Sequence, residues 1–188
     1  MRIIVGISGA SGVEMGSSLL KALKAQGCET HLVITRGAEL TWKQESSRPL
    51  AELSSEADFR HDDEDLTAVI ASGTFVTAGM AVLPCSMKTL SAVANGYASG
   101  LLTRAADVCL KEGRKVVLCP REMPLGKIHL KNMLQAADLG CSIIPPMLTF
   151  YNNAASVAEQ VDHIVGKILM QFGLRHDSFR PWQGGARA

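Results

Sequence analysis

Aromatic side chains are scarce in this chain. They make up 5% of its 188 residues, and Trp42 and Trp182 are the sole tryptophans. A stacking platform for single-stranded nucleic acid needs more of them. Charge of one sign is lacking too. The formal net charge is +1, which gives no general pull toward nucleic acid or an acidic membrane surface. No apolar run is long enough to span a bilayer. The opening residues read as a strand, not as a charged-then-apolar leader. The five cysteines (Cys28, Cys85, Cys109, Cys119 and Cys141) are odd in number and scattered, with no C-x-x-C. That argues against a disulfide framework and a zinc site, and fits a reducing cytoplasm. The hydrolase elbow G-x-S-x-G is absent, because Gly9-Ala10-Ser11-Gly12 has a different spacing. There is no internal repeat and no low-complexity segment.

What is present is a packed-protein composition, 47% hydrophobic and 20% charged, at a length that suits one domain. Strand and helix signals alternate. Arg2 to Ser8 is an apolar, β-branched run that enters the glycine turn 9–12. Val13 to Ala25 follows with Met15, Leu19, Leu20 and Leu23 at helical spacing. Strands are expected at 29–35, 80–84, 115–119 and 141–144, and helices at 38–44, 89–95, 101–111, 127–139 and 156–172. Residues 46–65 read as an irregular acidic loop, whose run His61-Asp62-Asp63-Glu64-Asp65 is a solvated face. The predicted architecture is α/β: a parallel sheet with helices on both faces, in a domain of residues 1–175 with a tail at 176–188. Several helices, among them 90–98 and 133–137, carry so few charges that an oligomer is expected.

In such sheets ligands sit beyond the carboxyl ends of the strands. The turns there are Gly9-Ala10-Ser11-Gly12, Thr35-Arg36, Cys85 to Thr89 and Pro120-Arg121-Glu122. Glycines let the backbone approach an anion, and the next helix turns its free N–H groups toward it. A phosphate-bearing ligand is therefore expected; the alternative is a tight turn that only packs helix on strand. Ser11, Ser86 and Thr89 offer hydroxyls, or else cap helices. Arg104, Lys111, Arg121 and Lys167 are basic groups suited to a phosphate, or else surface charge. Glu45 and Glu122 lie near the same edge, and Glu122 suits a general acid or base, the alternative being a structural ion pair. Cys85 has no histidine at a motif spacing, so a nucleophilic role is not expected.

The combination Gly9-Ala10-Ser11-Gly12, Pro84-Cys85-Ser86-Met87-Lys88-Thr89-Leu90-Ser91, Arg104-Ala-Ala-Asp107, Leu110-Lys111-Glu112, Pro120-Arg121-Glu122-Met123-Pro124-Leu125 and Phe150-Tyr151 resembles the flavin prenyltransferase family, often called UbiX-type. The resemblance runs from about Arg2 to Phe172. It implies a flavodoxin-like, Rossmann-related fold, a homododecamer, and an inter-subunit FMN site without a metal. It implies transfer of a dimethylallyl group from dimethylallyl phosphate to N5 and C6 of reduced FMN. The prenylated FMN then serves a UbiD-type aromatic-acid decarboxylase. Carried over by position, Gly9, Ala10, Ser11, Thr35, Ser86, Met87, Lys88, Thr89 and Arg121 would contact FMN. Lys111, Arg121, Tyr151 and Lys167, with Arg104, would hold the donor phosphate. Glu122 would be the acid/base group, with Glu45, Ser11 and Lys111 assisting. The chain departs from the family pattern at Lys167 (usually arginine), at Asn152-Asn153 after Phe-Tyr (where a histidine is common), and at Leu66 (often aromatic). The resemblance leaves two rivals. A peptidyl-cysteine decarboxylase of the same fold needs a histidine on the first helix, and 13–25 has none. A non-catalytic FMN-carrying subunit of a hydroxyaryl-acid decarboxylase complex shares the flavin site.

Overall fold

A computed structural model describes residues 1–184; the end of the expected tail, 185–188, lies outside the described residues. Among the described residues six parallel strands form one sheet: β1 (Arg2–Ile7), β2 (Glu29–Ile34), β3 (Phe59–Asp62), β4 (Gly79–Cys85), β5 (Lys115–Pro120) and β6 (Ser142–Ile143). Their spatial order is β3-β2-β1-β4-β5-β6. The chain therefore winds outward in both directions from β1, and the switch point falls between β1 and β4. The turns after these two strands diverge there and leave a crevice, which is where open α/β sheets bind ligands.

The sequence builds this sheet because its central strands are apolar on both faces. In β1, Ile3, Val5 and Ile7 pack toward α1 (Glu14–Ala25) and α7 (Val157–Met170). Ile4 points the other way, toward α5 (Leu101–Lys111) and α4 (Met87–Ala94). Gly6 shares that second face, and a Cβ there would meet the Met80 and Leu102 side chains at 2.9 and 3.0 Å. The outer layers are completed by α2 (Arg36–Glu45), α3 (Leu50–Ser55) and α6 (Lys127–Asp138). No helix among the described residues is long and apolar enough to cross a membrane.

Two expectations need correction. Residues 46–65 are not irregular throughout: they contain α3 and the edge strand β3, paired in parallel with β2 from His31↔Phe59 to Ile34↔Asp62. An edge strand of sequence FRHD has a neighbour on one side only and no need of an apolar face, so it carries no apolar alternation to read. The apolar residues of α4 are also less in need of a partner than expected. Leu90, Val93 and Ala94 are buried within the subunit, where α4 packs on α6. Exposed apolar side chains remain in both expected segments, at Tyr97 just past α4 and at Leu134 in α6, and others include Met123, Ile128, Met147, Leu148, Phe150 and Val157.

Candidate active site

Three helix starts converge at the crevice. The α2 start is capped by Thr35, whose Oγ1 accepts the Ala38 N–H at 3.3 Å. The α4 start is capped by Ser86, whose Oγ accepts the Thr89 N–H at 3.2 Å and donates to Thr89 Oγ1 at 3.1 Å. Both hydroxyls thus cap, and both still face the ligand crevice. The first-turn N–H groups of Arg36 and Gly37 on α2, and of Met87 and Lys88 on α4, have no partner within their own helices. The start of α5 differs. Asp63 accepts there twice, Leu101 N–H on its carbonyl at 2.7 Å and Leu102 N–H on Oδ1 at 2.8 Å. That helix end is filled by the protein's own carboxylate. Burial, with Glu64 and Asp62 nearby, pushes the Asp63 carboxyl up, against the pull of the Leu102 N–H and Lys88.

Between these starts lies a cavity of about 440 Å3, lined among others by Gly9, Thr35, Gly37, Ser86, Met87, Lys88, Thr89, Gly100 and Glu122. Gly9 must be glycine for this shape: a Cβ would lie 2.9 Å from the carbonyl carbon of Gly37, so the first turn and the α2 start could not approach. Asp63, Glu64 and Thr103 also line the cavity, and sequence reading did not select them. The signal was available, since Asp63 and Glu64 directly follow a strand on the same edge. With β3 unrecognised, the acidic run read as solvent-exposed loop.

At the glycine turn, Glu45 at the far end of α2 accepts the Gly12 N–H at 2.8 Å and the Val13 N–H at 3.4 Å. Partial burial raises its pKa. The Ser11 hydroxyl, these two N–H groups and the Arg121 cation together outweigh that, and hold the carboxyl below its ordinary value. The Ser11 hydroxyl and the Arg121 cation therefore both favour the Glu45 carboxylate at the glycine turn. Glu122 follows Arg121 and is exposed, with Oε1 accepting the Met123 N–H at 3.0 Å. Cys85 is fully buried, and burial pushes its thiol far up, with Cys141 adding to the effect, so it is no nucleophile.

Eight expected residues do not line the cavity within one chain: Ser11, Glu45 and Arg121 stand at the glycine turn, and Ala10, Lys111, Arg104, Tyr151 and Lys167 are engaged elsewhere. The Ala10 N–H is spent on the Ser8 carbonyl at 2.8 Å. Lys111 is at the opposite end of α5, about 15 Å of helix from the residues that line the cavity, and pairs with Glu112 at 2.6 Å. It stands at the sheet edge where β4 and β5 begin. Arg104 donates to the Ala71 carbonyl at 3.2 Å and pairs with Asp107 at 2.7 Å. Tyr151 and Lys167 sit with α7: the Tyr151 hydroxyl is 3.4 Å from His163 Nε2, and the Lys167 ammonium is 5.8 Å from the Phe179 ring centroid. Among the described residues no group of three or more His, Cys, Asp or Glu is arranged to hold a metal ion.

Comparison with known proteins fits this geometry. The Flavoprotein family model matches residues 1–173. A probable UbiX-like flavin prenyltransferase of Sedimentibacter hydroxybenzoicus is 59% identical, over 98% of each chain. The chain belongs to the UbiX-like flavin prenyltransferases. A crystal structure described as a dodecameric FMN-dependent UbiX-like decarboxylase from Escherichia coli O157:H7 superposes with a TM-score of 0.95 at 50% identity. It covers 98% of this chain and 100% of the other. A second, AnUbiX (PadA1) in complex with FMN and dimethylallyl pyrophosphate, has a TM-score of 0.96 at 42% identity, over 98% of each chain.

Proposed function

We propose that this protein transfers a dimethylallyl group from dimethylallyl phosphate to N5 and C6 of reduced FMN, and so makes prenylated FMN for a UbiD-type aromatic-acid decarboxylase. The observation that carries the proposal is the cavity at the switch point. Two open helix starts meet there with Glu122 in the lining, and Ser11, Glu45 and Arg121 stand at the glycine turn that Gly9 begins.

FMN fits these residues. Its phosphate carries acceptors only, and the free N–H groups of the α2 and α4 starts, with Thr35 and Ser86 to Thr89, present donors and the positive ends of helix dipoles. The α5 start, already filled by Asp63, is not available to it. When bound, FMN supplies the N5 and C6 atoms that accept the prenyl carbons.

The chain's own residues then act on the donor. Phosphate is a poor leaving group until its charge is neutralised, and Arg121, with Lys111, Tyr151, Lys167 and Arg104, would supply that neutralisation by preorganised cations and donors. Glu122 would hold a proton at a phosphate oxygen and later remove one as the second bond forms. Glu45 and Ser11 would fix the glycine turn against the flavin. The Met87 side chain in the cavity lining would help exclude water from the allyl fragment.

One subunit does not gather all these groups, so we propose that a dodecamer builds each site from neighbouring copies and that Lys111 and Arg104 arrive from another chain. The exposed apolar residues between Met123 and Val157 would lie in those contacts. Five cysteines that are all free support a cytoplasmic setting.

The test is anaerobic incubation with reduced FMN and dimethylallyl phosphate, and in parallel with dimethylallyl diphosphate, followed by mass spectrometry of the extracted flavin. A gain of one C5H8 unit from the monophosphate, lost in Glu122→Gln, supports the proposal. Unmodified flavin with both donors overturns it and leaves an FMN-carrying subunit of a decarboxylase complex.

A further inference from the structure

His163 is a titratable side chain inside the α7 packing that the proposed mechanism does not use. It is 5% exposed. Its ring stacks on Phe179 with centroids 4.8 Å apart and planes at 23°, and meets Tyr151 edge-on at 5.6 Å. Its Nε2 lies 3.4 Å from the Tyr151 hydroxyl, at the long end of hydrogen-bond range. Its Nδ1 is buried with no hydrogen-bond partner among the described residues.

A neutral imidazole carries one N–H, on either nitrogen. Burial, and then Lys167 one turn further along α7, push the His163 pKa down, so the neutral ring is favoured. With the proton on Nδ1, an N–H would be buried without an acceptor, and Nε2 would take the hydroxyl hydrogen of Tyr151. With the proton on Nε2, only a lone pair is left unmatched at Nδ1. Orphaned buried N–H groups are the rarer of the two faults in proteins, so the second arrangement is preferred. It has a consequence for Tyr151. A hydroxyl that accepts from Nε2–H keeps its own hydrogen free, and an ionised phosphate, which only accepts, needs that hydrogen.

We propose that His163 is a positioning residue for the donor phosphate: its Nε2–H donates to the Tyr151 oxygen and thereby leaves the Tyr151 O–H to donate to a phosphate oxygen. This rests on the reading above in which Tyr151 contacts the donor. The rival explanation is that His163 is only a packing partner of Phe179.

The experiment compares steady-state prenylation by wild type, His163→Phe, His163→Gln, Tyr151→Phe and the double variant His163→Phe/Tyr151→Phe, all as assembled full-length protein with FMN. Phenylalanine keeps the stacking and removes the N–H; glutamine returns a donor near the Nε2 position. The expected result for His163→Phe is a KM for dimethylallyl phosphate raised about tenfold, the worth of one hydrogen bond of about 1.4 kcal/mol. Its kcat and FMN affinity stay near wild type, Tyr151→Phe matches it, the double variant is no worse than either single one, and His163→Gln restores most of the loss. Independent effects that multiply in the double variant would overturn the proposal. So would an unchanged KM in His163→Phe beside a raised KM in Tyr151→Phe. An unchanged KM in Tyr151→Phe would remove the Tyr151 assignment and this inference with it, leaving prenyl transfer itself standing. Nitrogen-15 NMR of histidine-labelled protein gives an answer that needs no activity: Nε2 must appear as the protonated nitrogen and Nδ1 as the bare one. The reverse assignment refutes the proposal even if the protein transfers no prenyl group.

Discussion

The Glu45 carboxylate closes the end of α2 onto the glycine turn after β1 by accepting the Gly12 N–H at 2.8 Å. Gly12 is in the left-handed region, φ +93°, so the turn directs this N–H outward where a side chain 33 residues away reaches it. The contact therefore ties together two of the segments that shape the crevice. Because Glu45 is held below the ordinary glutamate value of 4.5, its contribution to stability is fully present above that pH. It is lost as pH falls through the lower folded value. Glu45→Gln is expected to cost about 1 kcal/mol at neutral pH, a charge-assisted bond discounted for solvent exposure. Denaturant unfolding of the two proteins from pH 7 down to pH 3 checks this: the difference must shrink below pH 4.5. A difference that grows on acidification contradicts the assignment.

Gly9 and Gly37 meet backbone to backbone. A Cβ on Gly9 would sit 2.9 Å from the Gly37 carbonyl carbon and 3.0 Å from its Cα. Neither partner is a flexible side chain that swings away. Gly9→Ala is expected to lower stability by about 1–3 kcal/mol, the range for overpacking, and to weaken FMN binding because the α2 start is pushed off the turn. Flavin fluorescence titration reads the second effect separately from melting. Unchanged FMN affinity would mean that the α2 start takes no part in binding.

The parts of the site that were legible in the sequence are those fixed by local chain chemistry. The turn 9–12, Thr35, and Ser86 to Thr89 each follow an apolar strand, and a strand followed by a helix places its turn on one sheet edge whatever the rest does. Asp63 and Glu64 obey the same rule, but their segment carries the pattern of a solvated loop, because β3 is a short polar edge strand with no apolar period to reveal it. Lys111 shows the other limit. Sequence fixes it to the last turn of α5, the wrong end of that helix for its own subunit's cavity. Nothing in a single chain's pattern says which neighbour's cavity it would face. The same holds for His163: its relation to Tyr151 exists only after the 150–153 loop folds back on α7.

If Lys111 serves a neighbouring subunit's site, defects at Lys111 and Glu122 must complement. Lys111→Ala and Glu122→Gln homo-oligomers are each expected to lose at least a hundredfold in prenylation rate, the lower range for a missing acid/base or charge-stabilising group. Oligomers assembled from an equal mixture should regain about a quarter of wild-type activity. With random assembly, that is the share of sites pairing an intact Glu122 with an intact Lys111 from the next copy. Recovery no greater than the sum of the separate variants would place both residues in the same chain's site, and the 15 Å of α5 between Lys111 and the cavity would then need another explanation.

Lys167 carries the charge that a donor phosphate needs, but as a compact ammonium with no planar fork. Its Nζ lies over the Phe179 ring, 5.8 Å from the centroid, a contact that a guanidinium can keep while presenting two parallel N–H groups to a phosphate. Lys167→Arg is therefore expected to lower KM for dimethylallyl phosphate several-fold and to leave the rate at saturation near that of the parent. The gain should be specific to the phosphate end. Inorganic phosphate should inhibit the arginine variant more strongly, by a similar factor, while FMN affinity stays fixed. A lower KM without stronger phosphate inhibition would locate the effect in the prenyl pocket, and an unchanged KM would remove Lys167 from the donor site.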